Sequence, residues 1–122
     1  MKDERAYLLH AIEAIDAILS YTVDGSDAFF SDGKTQDAVI RNIEIIGQAV
    51  KGISDSTRAL EPAVPWRQIA GMRDKLIHEY FGVDLALVWD VVERELPTLR
   101  SKLEKLSRRL ADDSSSGDRP GS

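Results

Sequence analysis

The chain has 122 residues, 43% of them apolar, with 16 Lys and Arg against 21 Asp and Glu, no cysteine and two histidines. That supports one domain with a real core, and excludes wholesale disorder, a disulfide scaffold, a thiol nucleophile and any cysteine-ligated metal. The start Met1–Arg5 has no apolar signal core and no run approaches the roughly 18 residues of a membrane span, so a cytoplasmic protein with no membrane partner is expected.

The first predicted helix runs from about Asp3 to Tyr21, with Leu8, Ala11, Ile12, Ile15, Ile18 and Leu19 on one stripe. It stops before Asp24-Gly25-Ser26-Asp27, and Phe29 and Phe30 read as a hydrophobic plug in the connection. The second helix begins near Thr35 as N-cap. Its stripe is Val39, Ile43, Ile46, Val50 and Ile53, alternating steps of four and three as in bundle packing. A loop over residues 54–65, closed by Pro62 and Pro65, leads to a third helix from Trp66 to about Phe81, stopped by Gly82. Asp84 caps the fourth, whose stripe is Leu85, Val88, Val92, Leu96, Leu99, Leu103, Leu106 and Leu110. Pro97 should kink that helix or restart it. From Ala111 the Ser, Gly, Pro and Asp content predicts a disordered tail. The expectation is therefore an all-α antiparallel four-helix bundle over residues 1–110, followed by a tail over 111–122.

Charge is uneven. Residues 1–61 carry 6 basic and 11 acidic side chains, so the whole formal charge of −5 lies there, and residues 62–122 are neutral. The acidic balance argues against a broad nucleic-acid surface. The one basic stripe, six Lys and Arg between Arg94 and Arg109, reads first as a solvated helix face.

Chemistry tends to sit where a local rule fails. On a continuous third helix at 100° per residue with Ile69 at zero, Arg73 falls at about 40°, in the middle of the apolar face. A guanidinium cannot shed its charge, so there it needs a carboxylate, carbonyls or an anionic ligand. Asn42 intrudes in the same way on the second stripe, suggesting a polar pocket between the two helices or a buried pair that fixes register. His78 lies about 140° from Arg73, and Asp74 stands four residues before it, close enough on a helix to favour its protonated form. Glu44 reads as solvated charge and His10 as an ordinary surface histidine. Gly-rich phosphate loops, nucleophile elbows and paired metal ligands are absent from the sequence, which calls for no cofactor and no metal.

The run Arg73-Asp74-Lys75-Leu76-Ile77-His78-Glu79-Tyr80 gives Arg, four residues, His, one residue, Tyr. With Ala38 through Ala49 and the stretch from Pro65 to Asp84, it resembles the HEPN superfamily, and within it the HepT-like toxins, over roughly residues 3–106. The resemblance implies a homodimeric all-α HEPN bundle and a metal-independent endoribonuclease, the toxin of a toxin–antitoxin pair. Arg73 and His78 would then be catalytic, with Asp74 and Asn42 in support. It also implies an MntA-like nucleotidyltransferase antitoxin that transfers AMP to Tyr80, in a dimer or a higher hetero-oligomer. The competing reading is a non-catalytic nucleotide-binding or accessory subunit of such a transferase, which the acidic charge favours. A third is a plain scaffold in which Arg73 only pairs with Glu44 or Asn42. If RNA is the substrate, the charge distribution confines it to a narrow cleft at a dimer seam, built from Arg73, Lys75, Arg67 and the Arg100–Arg109 stripe.

Overall fold

The computed structural model describes residues 3–78 and 82–117, with side chains described at 3–76 and 82–112. Asp3 opens helix α1 (Glu4–Tyr21) by accepting the Arg5 amide at 3.0 Å. Gly25, at φ 90, turns the chain into the short α2 (Ser26–Ser31). Here the hydrophobic plug divides: Phe29 is buried against Trp89, with ring centroids 5.2 Å apart, whereas Phe30 is exposed.

Helix α3 (Gly33–Lys51) is capped by Asp32 and not by Thr35. The Asp32 carboxylate accepts both the Lys34 amide at 3.1 Å and the Thr35 hydroxyl at 2.8 Å, so Thr35 lies inside the first turn and reaches back to the cap. Helix α1 packs along α3 and against the final helix, and their stripes meet in a core that includes Leu8, Ile15, Ile43, Ile46, Leu96 and Leu103.

The expected loop over 54–65 contains a single helical turn, α4 (Asp55–Arg58). Glu4 holds it from α1, accepting the Thr57 hydroxyl at 2.6 Å and both the amide and the hydroxyl of Ser54. Burial opposes ionisation of Glu4, but these hydrogen bonds outweigh it and hold the carboxyl below its usual value. Trp66 closes the loop by donating to the Arg58 and Glu61 carbonyls, both at 3.1 Å.

The third helix departs most from expectation. It forms α5 (Trp66–Ala70), breaks at Gly71, and resumes as α6 (Met72–Leu76). It does not continue to Phe81. Strand β1 (Ile77–His78) pairs antiparallel with β2 (Gly82–Val83), Ile77 opposite Val83 and His78 opposite Gly82. β-Branched residues at one opposed pair suit a strand better than a last helical turn, and Gly82 supplies a left-handed φ of 78. The Asp84 amide then donates to the Leu76 carbonyl at 3.0 Å, satisfying one of the groups the helix end leaves open.

Asp84 caps α7 (Leu85–Asp90) as expected, accepting the Leu87 amide at 3.0 Å. A π-helical segment follows over Val91–Glu95, and α8 runs over Leu96–Gly117. Pro97 has no N–H to give and its ring would strike the carbonyl four residues back, so the helix widens before it and restarts with Pro97 in a first turn. Helix α8 passes Ala111, where disorder was expected, because extending a helix already nucleated costs little. Apart from the two-residue hairpin strands, the described residues are all-α, and no helix among them is long and apolar enough to cross a membrane.

Candidate active site

Gly71 decides where Arg73 points. The buried residues run Trp66, Ile69, Met72 and Leu76, two steps of three before a step of four. Each step of three falls about 60° short of a full turn, so the buried stripe shifts onto Met72 and carries Arg73 outward. Arg73 was expected inside the apolar face; its side chain is instead 58% exposed.

The expected partner Asn42 also turns away, donating to the Ala38 carbonyl of its own helix at 2.9 Å. No Asn42–Arg73 pocket forms. Arg73 meets Glu44, whose Oε1 lies 3.4 Å from Nε, and Asp74, whose Oδ1 lies 3.8 Å from a terminal guanidinium nitrogen. The other oxygen of Glu44 is 3.8 Å from Arg41, so this carboxylate stands between two guanidinium groups. On sequence Glu44 reads as solvated charge, and as a partner of Arg73 only in the scaffold reading; of the two partners named there, Glu44 is the one Arg73 meets and Asn42 is not. The i, i+3 relation of Glu44 to Arg41 was visible, but its approach to Arg73 depends on Gly47. A Cβ there would lie 3.3 Å from the Ile69 carbonyl oxygen, so glycine lets α3 come close to α5 one turn beyond Glu44.

Because the helix ends at Leu76, His78 no longer follows 100° per residue from Arg73, and the 140° separation loses its basis. For the same reason Asp74 and His78 do not form an i, i+4 helical pair, and Asp74 is highly exposed beside Arg73. The side chain of His78 lies outside the described residues, as does all of Tyr80.

The basic stripe of α8 is largely engaged within the chain. Arg100 donates to Asp16 at 2.5 Å and Glu104 at 2.6 Å, and these bonds hold its guanidinium even more firmly protonated. Arg108 pairs with Glu104, Arg109 donates to the Leu60 carbonyl, and Lys102 donates to that of Ala63. Arg67 and Lys75 are exposed. Arg73 instead borders a surface hollow of about 290 Å³ lined by Arg41, Glu44, Gly47, Gln48 and Lys51. Among the described residues, no group of three or more His, Asp or Glu could hold a metal ion.

The family model described as ribonuclease HepT-like matches residues 11–106, which include Asn42, Glu44, Arg73 and His78. The chain belongs to the HepT-like family. A protein of Thermococcus cleftensis named "Probable ribonuclease HepT" is 45% identical over 108 residues, covering 88% of this chain and 98% of that one. A Methanocaldococcus jannaschii protein, named as a gamma-glutamylcyclotransferase and candidate RNase, is 46% identical over 110 residues. That match takes in 89% of this HepT-like chain but only 50% of the longer protein. No solved structure matches significantly.

Proposed function

We propose that this HepT-like chain is a metal-independent endoribonuclease, the toxin of a toxin–antitoxin pair. The observation that carries the reading is the state of Arg73. Its carboxylate contacts, at 3.4 and 3.8 Å, are longer than the roughly 2.7–2.9 Å of charge-assisted hydrogen bonds. Among the described residues its N–H donors are therefore not committed to a tight partner, and they stand exposed at the edge of a hollow. A phosphate is the ligand that a planar fork of donors suits best.

In this mechanism the 2′-hydroxyl of RNA attacks the adjacent phosphorus and the 5′-oxygen leaves, giving a cyclic phosphate end. Arg73 stabilises the charge on the phosphorane oxygens, and His78 removes the proton from the nucleophile or supplies one to the leaving oxygen. A homodimer would bring two motifs together. An MntA-like nucleotidyltransferase would silence the enzyme by transferring AMP to Tyr80. The names of the relatives and the family match support the ribonuclease part of this reading.

The test is cleavage of RNA by the purified chain in EDTA. Wild type should cut, leaving cyclic phosphate ends, and Arg73→Ala and His78→Ala should each lose about a hundredfold or more. Arg73 is exposed, so its variant should keep its helical circular dichroism. Intact RNA, or cleavage that needs an added divalent ion, rejects the mechanism. Co-expression with an MntA-like nucleotidyltransferase should add AMP to Tyr80 by mass spectrometry. A chain that binds the transferase yet is neither modified nor nucleolytic is the accessory subunit instead.

A further inference from the structure

The hollow beside Arg73 has a neighbour across α3. A second hollow, of about 430 Å³, lies on the α1 side of that helix, and the two share Ile45, Gln48 and Lys51. Its far end is formed by Tyr7 and His10 of α1 with Gly52. We propose that the two hollows, with the outer face of α3 between them, form a track for single-stranded RNA, leading a strand from Tyr7 to Arg73. The direction of the track rests on the ribonuclease reading, whereas the two hollows do not depend on it.

Three features favour a nucleic-acid strand. The first is charge. The two hollows are lined by Arg41, Lys51 and Arg73 against Glu44 alone, a local excess of positive charge on a chain whose net charge is −5. Lys51 is exposed and meets no carboxylate among the described residues. Arg41 and Arg73 share the one carboxylate of Glu44, and on α8 four cations are held by Asp16, Glu104 or backbone carbonyls. Of the cations lining the two hollows, Lys51 is thus the one most open to a phosphate chain.

The second feature is Tyr7. A Cβ on Gly52 would lie 2.7 Å from ring Cε1 and 2.8 Å from both Cδ1 and Cζ. Near-equal distances to three adjacent ring atoms put Gly52 over one face of the ring. The ring is thus braced from one side by backbone, and it borders the hollow while half-buried, as a stacking platform for a base requires. Any residue larger than glycine at position 52 would push the ring from this place.

The third is dimension. From Arg41 to Lys51 the helix rises about 15 Å at ~1.5 Å per residue, room for a strand of a few nucleotides. Cations along a backbone path with one braced aromatic ring are the pattern of single-strand binding, in which bases are free to stack on protein. A duplex keeps its bases stacked on one another and would leave Tyr7 unused.

The test uses the full chain and a labelled 2′-O-methyl single-stranded RNA of about 12 nucleotides, which cannot be cut by 2′-hydroxyl attack. Fluorescence anisotropy should show Lys51→Glu and Tyr7→Leu each weakening binding about tenfold, with a shallower salt dependence for Lys51→Glu. Lys34→Glu, exposed at the start of α3 and outside both hollows, should change affinity by less than about twofold. Lys51 is exposed, so its variant should keep the wild-type circular dichroism even if Tyr7→Leu does not. Binding that depends on Lys51 in a chain that leaves ordinary RNA intact would support the track and remove the ribonuclease reading. Cleavage of ordinary RNA with unchanged affinity in Lys51→Glu would overturn the track and leave the ribonuclease reading standing. A changed oligomeric state in light scattering, with RNA affinity unchanged, would also overturn it by assigning the groove to a protein partner.

Discussion

Glu44 on α3 lies 3.4 Å from Arg73 on α6, and it reaches Arg41 with its other oxygen. A carboxylate in this position does two opposed things. It restrains a guanidinium that would otherwise sweep through solvent, and it competes with any phosphate for the same donors. The ion pair is exposed on the arginine side and long, so its own contribution to stability is small, about 0–1 kcal/mol.

Competition should dominate. Glu44→Gln is expected to change the melting temperature by less than about 4 °C and to tighten binding of non-cleavable RNA about two- to fivefold. Anisotropy titrations at low and physiological salt measure this directly. Threefold weaker binding would show instead that Glu44 acts chiefly as a positioning residue for Arg73.

How far the fold could be read from sequence depended on how regular each segment is. The stripes of α1, α3 and α8 follow one helical period for several turns, so their buried residues were visible as Leu8, Ile43 and Leu103 are. Asp84 was legible as a cap because its carboxylate precedes an apolar run. The third segment failed because a wheel assumes one uninterrupted helix. Gly71 resets the phase, and the chain leaves helix at Leu76, so the burial assigned to Arg73 and its angle to His78 both rested on a geometry that does not exist. The Arg/His/Tyr spacing could be read without that geometry. Glu44 was legible only as one of two possible partners for Arg73, because the choice between it and Asn42 depends on a helix-to-helix approach at Gly47 that leaves no period in the sequence.

Gly82 has φ 78, a conformation in which a Cβ crowds the neighbouring carbonyl. Gly82→Ala should therefore cost about 1 kcal/mol in urea unfolding, although no side chain lies near enough to clash. Asparagine visits this region more readily, so Gly82→Asn should recover at least about half of that loss. Equal stability of wild type and the alanine variant would argue against this turn geometry.

Val91 tests the π-helical segment. On a straight helix it would stand about 140° from Leu96 and 60° from Val88, at the outer edge of the buried stripe. The wider turn over Val91–Glu95 brings it round, and Val91 and Val92 are both buried, at 5% and 3% exposure. Val91→Ala should accordingly cost about 1–2 kcal/mol, close to Val92→Ala, by denaturant unfolding. If Val91→Ala costs less than about 0.5 kcal/mol while Val92→Ala costs the full amount, the helix is straight through this region.

Glu4 gives stability a defined pH dependence. Its carboxyl is held below the usual range by hydrogen bonds from Thr57 and Ser54 that outweigh the opposing effect of burial. A group whose folded-state value is lowered binds fewer protons in the native than in the unfolded chain over that interval. Its stabilisation is therefore complete above the ordinary glutamate value and disappears as pH falls through that range to the lowered one. Glu4→Gln keeps an acceptor but not the charge, so it should lose about 1 kcal/mol near pH 7. Since α4 is a single turn held to α1 through this side chain, the loss should appear first as faster hydrogen exchange at the amides of Ser54 and Thr57. Chemical denaturation of both proteins from pH 7 to pH 3 should show the gap closing on the acidic side. A gap that stays constant with pH would mean that Glu4 acts through packing or neutral hydrogen bonding and not through its charge.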